Sequence, residues 1–224
     1  MNGDRQRETG LIDGHDPHRR RMDAIYRRQR HIYDVTRRFI LPGRDRLIRD
    51  LAVPDGGSVL EIGCGTARNL GMAARLFPAA KLYGIDLSDE MLRTARRKIG
   101  TSSITLAQAD ATAFDPAALF GTPLFDRVFL SYALSMIPGW REALSNALGC
   151  VAPGGRLSVV DFGQLEGWTP VVRAALFSWL ARFTVEPRAD LEDVMRELAE
   201  ADAATLTFTR PLRGYAQYGI ITKT

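Results

Sequence analysis

The chain is short of the residues that build metal centres and disulfide frameworks. In 224 residues it has two cysteines, Cys64 and Cys150, and three histidines, His15, His18 and His31. The cysteines form no metal-ligand spacing and no disulfide pattern. The histidines lie near the N-terminus, away from either thiol, so no metal is expected. Reduced thiols in a cytoplasmic protein are the expectation instead. No stretch approaches the roughly 20 consecutive apolar residues that span a bilayer. The N-terminus has no apolar run behind its basic residues, so no secretory signal is expected. Internal repeats, low-complexity tracts and interdomain linkers are lacking as well.

What is present suits one large domain with a proper core, for 46% of the residues are hydrophobic. The formal net charge is +4 and is unevenly placed. Residues 1–50 hold 13 arginines against 8 acidic residues, so the remainder of the chain is close to neutral. Residues 1–18 are polar and without periodicity, the pattern of a disordered tail. Residues 19–52 read as a helical arm or lid. Met22, Ile25, Tyr26, Ile32, Tyr33, Thr36, Phe39 and Ile40 recur there at helical spacing. Leu41-Pro42-Gly43 breaks that helix, and Arg44 to Leu51 reads as another short one. The arginines interleave with a regular apolar face, as in a docked helix, so no nucleic acid is expected as a partner.

Residues 53–224 are organised by the stretch Val59-Leu60-Glu61-Ile62-Gly63-Cys64-Gly65-Thr66-Ala67-Arg68. An apolar run enters a Gly-x-Gly turn and leaves into helix-forming sequence, as a buried parallel strand hands over to a helix. Gly63 and Gly65 open backbone dihedrals closed to other residues and leave room for a ligand against the main chain. Thr66 is the expected N-cap of the helix. A dinucleotide fold would place a third glycine at position 68, where this chain has Arg68, so that reading fails.

Strands are predicted over Ser58–Ile62, Lys81–Asp86, Ser103–Ala107, Asp126–Ser131 and Arg156–Asp161, with helices between them. Ser88 is the expected cap of the helix carrying Met91, and Pro78 closes the helix before. Pro153-Gly154-Gly155 reads as a tight turn ahead of the fifth strand. An apolar helix is predicted over Trp168 to Phe183, with Trp168, Val172, Leu176, Trp179, Leu180 and Phe183 on one side. Asp190 to Ala201 is an amphipathic helix. Thr205–Thr209 and Tyr215–Thr222 form a closing antiparallel hairpin.

The glycine turn with Glu61 two places before it resembles motif I of the class I methyltransferases that use S-adenosyl-L-methionine (SAM). Asp86 and Asp110 fall at the tips of the next two strands, in the order that family uses them. The resemblance implies an α/β, Rossmann-like fold: a mostly parallel seven-stranded sheet with a final antiparallel hairpin and helices on both faces. It also implies that Asp86 accepts the ribose hydroxyls, and that Asp110 and the Ala111 amide meet the adenine. Glu61, Gly63, Cys64, Gly65, Leu87, Met91 and Ser131 complete the expected cofactor site.

After the fourth strand the chain reads Ser131-Tyr132-Ala133-Leu134, without the Asn-Pro-Pro-aromatic motif of the DNA-amino and protein-glutamine branches. The arm, from Ile25 to Phe39 and through Gly43-Arg44-Asp45-Arg46, resembles the bacterial N-methyltransferases of betaine-lipid synthesis. That resemblance implies three SAM-dependent methylations of the amine of diacylglyceryl homoserine. Phosphatidylethanolamine or a small soluble amine is the alternative acceptor, and a non-catalytic SAM or nucleic-acid binder is the reading from a different class.

An uncharged amine needs mainly to be held in line with the methyl group. Tyr26 and Tyr33, seven residues apart on one helical face, suit a lid over the donor, either through their phenol oxygens or through their ring faces; plain packing on the sheet is the competing reading. Arg44 is the first candidate to clamp the acceptor carboxylate and Arg37 the second. A diacyl substrate implies a lipid partner at the membrane surface and peripheral attachment to its inner face. The Trp168–Phe183 helix is then an interfacial element, an acyl-groove lid or simply core.

Overall fold

The computed structural model describes residues 41–100 and 103–224. The expected tail, the helix of residues 19–40 and with it Tyr26, Tyr33 and Arg37 lie outside the described residues.

Seven strands form one sheet: β1 (Ser58–Ile62), β2 (Lys81–Asp86), β3 (Ile104–Gln108), β4 (Phe125–Ser131), β5 (Val151–Phe162), β6 (Thr205–Thr209) and β7 (Ala216–Thr222). Their order is β3-β2-β1-β4-β5-β7-β6. The first five are parallel, and β7 runs antiparallel to both β5 and β6. The expected mixed sheet with a closing hairpin is what the chain builds. From β1 the order runs outward to β2 and β3 on one side and to β4 and β5 on the other. That reversal opens a crevice at the carboxyl ends of β1 and β4, where ligands bind in open α/β sheets.

The helices are α1 (Arg44–Asp50), α2 (Arg68–Leu76), α3 (Asp89–Ile99), α4 (Pro116–Phe120), α5 (Trp140–Gly149), α6 (Pro170–Ala181) and α7 (Leu191–Ala201). They cover both faces. Leu144 and Ala147 of α5 join Leu191 and Met195 of α7 in one apolar cluster. Leu47 of α1, Leu70 of α2, Leu92 of α3 and Leu180 of α6 enter the other. Strands buried on both sides explain the near-continuous apolar runs at Val59-Leu60 and Val128-Phe129-Leu130.

Three local expectations need correcting. Thr66 does not cap α2: the N-cap is Ala67, left-handed at φ 57°, with no side-chain cap. The glycine turn runs two residues further than the motif suggests, closed by the Ala67 amide donating to the Cys64 carbonyl at 2.9 Å. Pro153-Gly154-Gly155 is not a turn ahead of β5 but part of it. Phe125 already pairs with Val151, the register shifts, and Arg127 resumes opposite Arg156. An irregularity in the ladder accommodates the proline and glycines there.

The third correction concerns α6. It is shorter than the predicted helix, because Pro170 sets its first turn. Its predicted apolar stripe divides. Leu176, Trp179, Leu180 and Phe183 reach the core, while Trp168 and Val172 are each 42% exposed. The other predicted strands and helices within the described residues are found close to their expected places, and the Ser88 hydroxyl accepts the Met91 amide at 3.3 Å to cap α3.

Candidate active site

A cavity of about 490 Å³ lies in the crevice at the strand tips. Gly63, Gly65, Asp86, Leu87, Met91, Asp110 and Ala111 line it, seven of the residues singled out from sequence. The glycine turn forms its floor because Gly63 and Gly65 sit at φ 73° and 53°. A Cβ on Gly63 would stand 2.8 Å from the Ala133 Cβ, so the turn is pressed against the chain leaving β4.

Asp86 does two structural jobs at the tip of β2. One carboxylate oxygen accepts the Gly65 amide at 2.7 Å and the other the Ser88 amide at 2.9 Å. A carboxylate oxygen can accept more than one hydrogen bond, a chemistry that suits the hydroxyls of a ribose. At the end of β3, Asp110 folds an Asx turn in which Oδ1 accepts both the amide and the hydroxyl of Thr112, at 2.8 and 2.7 Å. Its other oxygen stays outside that turn and is available to a donor in the cavity.

A recess adjoins the cavity through Gly63 and Gly65 and is bounded by Arg44, Glu61, Cys64, Asn69 and Ser131. Glu61 is 1% exposed and accepts the Asn69 side-chain amide at 2.7 Å. Burial, reinforced by the Asp86 and Glu61 charges, pushes the Cys64 thiol well above its usual range, so it stays neutral. Arg44, at the start of α1, is 9% exposed. Arg68, standing where a dinucleotide fold needs glycine, reaches instead across to Asp45 at 2.5 Å, and that ion pair holds the Asp45 carboxyl below its usual value.

The wall opposite Asp86 was not read from sequence. It comprises Tyr132, Ala133, Met136, Ile137 and Pro138. Tyr132 takes a left-handed φ of 55° immediately after β4, and its phenol donates to the Pro42 carbonyl at 2.6 Å. Burial pushes that phenol far above its ordinary value, so it remains a neutral donor. The one-turn 3₁₀ helix Leu134–Met136 is fixed from behind. The Ser135 amide donates to Asp161 at 3.1 Å, and Arg188 donates to the Leu134 and Ile137 carbonyls at 3.1 and 2.9 Å. The one available signal was position, since the residues after the fourth strand of such a sheet must border its crevice. The titratable groups lining the cavity are Asp86, Asp110, Tyr132 and Glu142. No histidine, lysine or cysteine lines it among the described residues.

These parts suit a nucleoside-bearing ligand: acids for ribose and base at two strand tips, a bare backbone turn between them, and apolar walls from Leu87, Met91 and Met136. In fold and in the layout of this site the chain is similar to the class I methyltransferases that use S-adenosyl-L-methionine. In agreement, residues 59–155 match the family model described as a methyltransferase domain. The demethylmenaquinone methyltransferase of Listeria welshimeri is 28% identical over 137 residues, which are 58% of this chain and 56% of that enzyme. The trans-aconitate 2-methyltransferase of an Azoarcus species is 33% identical over 120 residues, 52% of this chain and 45% of that enzyme. The chain thus spans about half the length of these relatives. Among solved structures, phosphoethanolamine N-methyltransferase 2 of Haemonchus contortus, in complex with S-adenosyl-L-methionine, superposes with a TM-score of 0.71 at 17% identity. The match covers 96% of this chain and 60% of that one and shows a shared fold.

Proposed function

We propose that this protein is a methyltransferase dependent on S-adenosyl-L-methionine that acts on the amine of a lipid head group, with diacylglyceryl homoserine as first acceptor and the trimethylated betaine lipid as product. The observation that carries the reading is the wall Tyr132–Pro138, apolar and built to position, with the cavity's carboxylates, Asp86, Asp110 and Glu142, lying outside it. S-adenosyl-L-methionine supplies an already activated methyl group. A neutral amine attacks it with its own lone pair, so the protein has mainly to hold and align, and well-oriented reactants account for on the order of 7–11 kcal/mol of a barrier. A carbon nucleophile would need a base to generate it. Asp86 and Asp110 hold the nucleoside in this reading, and Arg44 supplies a guanidinium beside the glycine turn for a carboxylate. Tyr26 and Tyr33 of the arm, which lie outside the described residues, are assigned to the donor side in this reading. The acceptor places the enzyme at the cytoplasmic face of a membrane. No helix among the described residues is long and apolar enough to cross one.

The second reading is methylation of an isoprenoid quinone, favoured by the demethylmenaquinone methyltransferase among the relatives. Phosphatidylethanolamine and a small soluble amine are further acceptors to include. Purified protein incubated with labelled SAM and each acceptor in mixed micelles separates them. Label in the homoserine lipid, advancing through three products, is the expected result. Label in demethylmenaquinol or phosphatidylethanolamine, with none in the homoserine lipid, would reassign the enzyme.

A further inference from the structure

The first half of α6 stands clear of the protein. Residues 170–175 are exposed on every side of the helix, although its sequence, Pro-Val-Val-Arg-Ala-Ala-Leu-Phe-Ser-Trp-Leu-Ala, carries one charge in 12 residues. A helix apolar all round is normally buried. Val171 is 78% exposed and Val172 and Trp168 are each 42% exposed. Leu212, 56% exposed, joins them, because the Trp168 indole donates to its carbonyl at 3.1 Å. Other exposed large apolar residues, Leu76 and Leu124, are isolated on separate elements, as on any soluble surface.

The turn presenting Leu212 is strained. Leu212 and Arg213 both lie in the left-handed region, at φ 55° and 57°, a conformation that side-chain-bearing residues adopt at a penalty. Non-glycine residues held this way concentrate where function requires a particular presentation. Here the result is a leucine turned outward.

Register places this patch on the same edge of the sheet as the cavity. Ala216, at the start of β7, pairs with Phe162 at the carboxyl end of β5, and the strained turn precedes it directly. A row of rings connects the two sites. Tyr132 of the cavity wall contacts Phe162 at 4.7 Å, Phe162 contacts Tyr215 at 6.1 Å, and Tyr215 contacts Trp168 at 6.5 Å.

Charge selects the occupant. Arg173 and Arg213 are exposed at the patch and Arg182 at the far end of α6, and none forms a salt bridge among the described residues. Glu166, the nearby acid, is already engaged by Arg210 at 3.4 Å. A second copy would bring the same arginines, and residues 1–50 hold 13 arginines against 8 acids; both carry the wrong sign. An anionic bilayer has the right one, and apolar side chains with tryptophan and arginine suit its interface.

We propose that Trp168, the first turns of α6 and Leu212 form a docking surface for an anionic lipid bilayer, which brings the donor cavity to face the membrane. This deepens the lipid-acceptor reading, and the orientation rests on it. The test uses the full chain, co-sedimented with phosphatidylcholine vesicles containing or lacking phosphatidylglycerol, alongside the double variant Val171→Asp/Leu212→Asp. Both positions are exposed, so the fold should survive, and circular dichroism with calorimetric SAM affinity confirms it. Wild type should partition onto the anionic vesicles, and the double variant should bind them at least about tenfold more weakly. SAM affinity and methyl transfer in detergent micelles should not change. Failure of wild type to bind, or equal binding by the variant, would overturn the proposal. So would a wild-type dimer that the variant dissolves, or vesicle binding lost on removing residues 1–40 yet kept by the double variant. Patch-dependent vesicle binding without methylation of any lipid would uphold the surface and remove the lipid acceptor. Lipid methylation in micelles with patch-independent vesicle binding would do the reverse.

Discussion

The Asp86 carboxylate at the tip of β2 accepts the backbone N–H of Gly65 at 2.7 Å, so an acid on one strand sets the shape of the glycine turn on the next. The residue expected to grip the ribose therefore also shapes the bed on which the donor lies. Asp86→Ala removes both functions. Each lost charge-assisted hydrogen bond is worth roughly 1.5–3 kcal/mol, so SAM affinity should fall by at least about a hundredfold. Asp86→Asn keeps one acceptor oxygen and should fall in between. Calorimetric titration measures both, and an unchanged affinity for the alanine variant would remove Asp86 from the site.

Gly63→Ala separates strain from collision. At φ 73° an added Cβ is strained and also meets the Ala133 Cβ at 2.8 Å. Gly56, at φ 67° in the turn before β1, has nothing within 4 Å of the corresponding position. Gly56→Ala should lower stability by about 1 kcal/mol, the strain alone, and leave SAM binding intact. Gly63→Ala should lose more stability, and SAM affinity should drop by at least about tenfold as the turn moves away from Ala133. Equal effects of the two substitutions on SAM binding would mean that the Gly63–Ala133 contact does not matter.

The difference between what the sequence disclosed and what it hid follows from the range of the interactions. The glycine turn and Ser88 are local: their dihedrals and cap bonds involve neighbours within a few residues. The strand-tip acids Asp86 and Asp110 were readable because an apolar run ending in an acid marks its own boundary. Tyr132 and Met136 line the same cavity but announce nothing, since their places depend on β4 pairing with β1 and β5 and on Asp161 holding Ser135. Periodicity found an apolar stripe on α6 but could not tell which half of it has a sheet underneath. Thr66 was a plausible cap by type, displaced only because Ala67 extends the left-handed turn.

Asp161 should give the protein a measurable pH signature. It is 1% exposed at the end of β5. Burial raises its carboxyl above 3.8, while the Ser135 and Phe162 groups that donate to it pull the other way. A raised folded-state value means the folded protein holds this proton more tightly. The contribution to stability is therefore full below about 3.8 and is lost as pH rises through the higher folded value. Asp161→Asn has no proton to lose, but it presents a donor where one of the two amides needs an acceptor. At pH 4 the variant should be less stable by about 1–3 kcal/mol. That gap should narrow as pH rises, in urea denaturation followed from pH 4 to 8. A gap constant across this range would mean that Asp161 titrates as it does in the unfolded chain.

Arg44, 9% exposed, borders the recess that adjoins the cavity through Gly63 and Gly65. The sequence points it at the acceptor's head group, and the structure places it behind the glycine turn, with Glu61, Gly63 and Ser131 around the same recess. A guanidinium there lies on the donor's side of the turn as well, and the donor has a carboxylate of its own. The arrangement leads us to expect a donor effect. Arg44→Ala should weaken SAM by about tenfold, the scale of one charge-assisted contact, and change the Michaelis constant for the lipid less. Arg44→Lys keeps the charge without the planar fork and should recover only part of the affinity. Calorimetry with SAM beside steady-state kinetics in the lipid distinguishes the outcomes. A raised Michaelis constant for the lipid with unchanged SAM affinity would return Arg44 to the acceptor, and a loss of thermal stability with neither effect would leave it a structural residue at the start of α1.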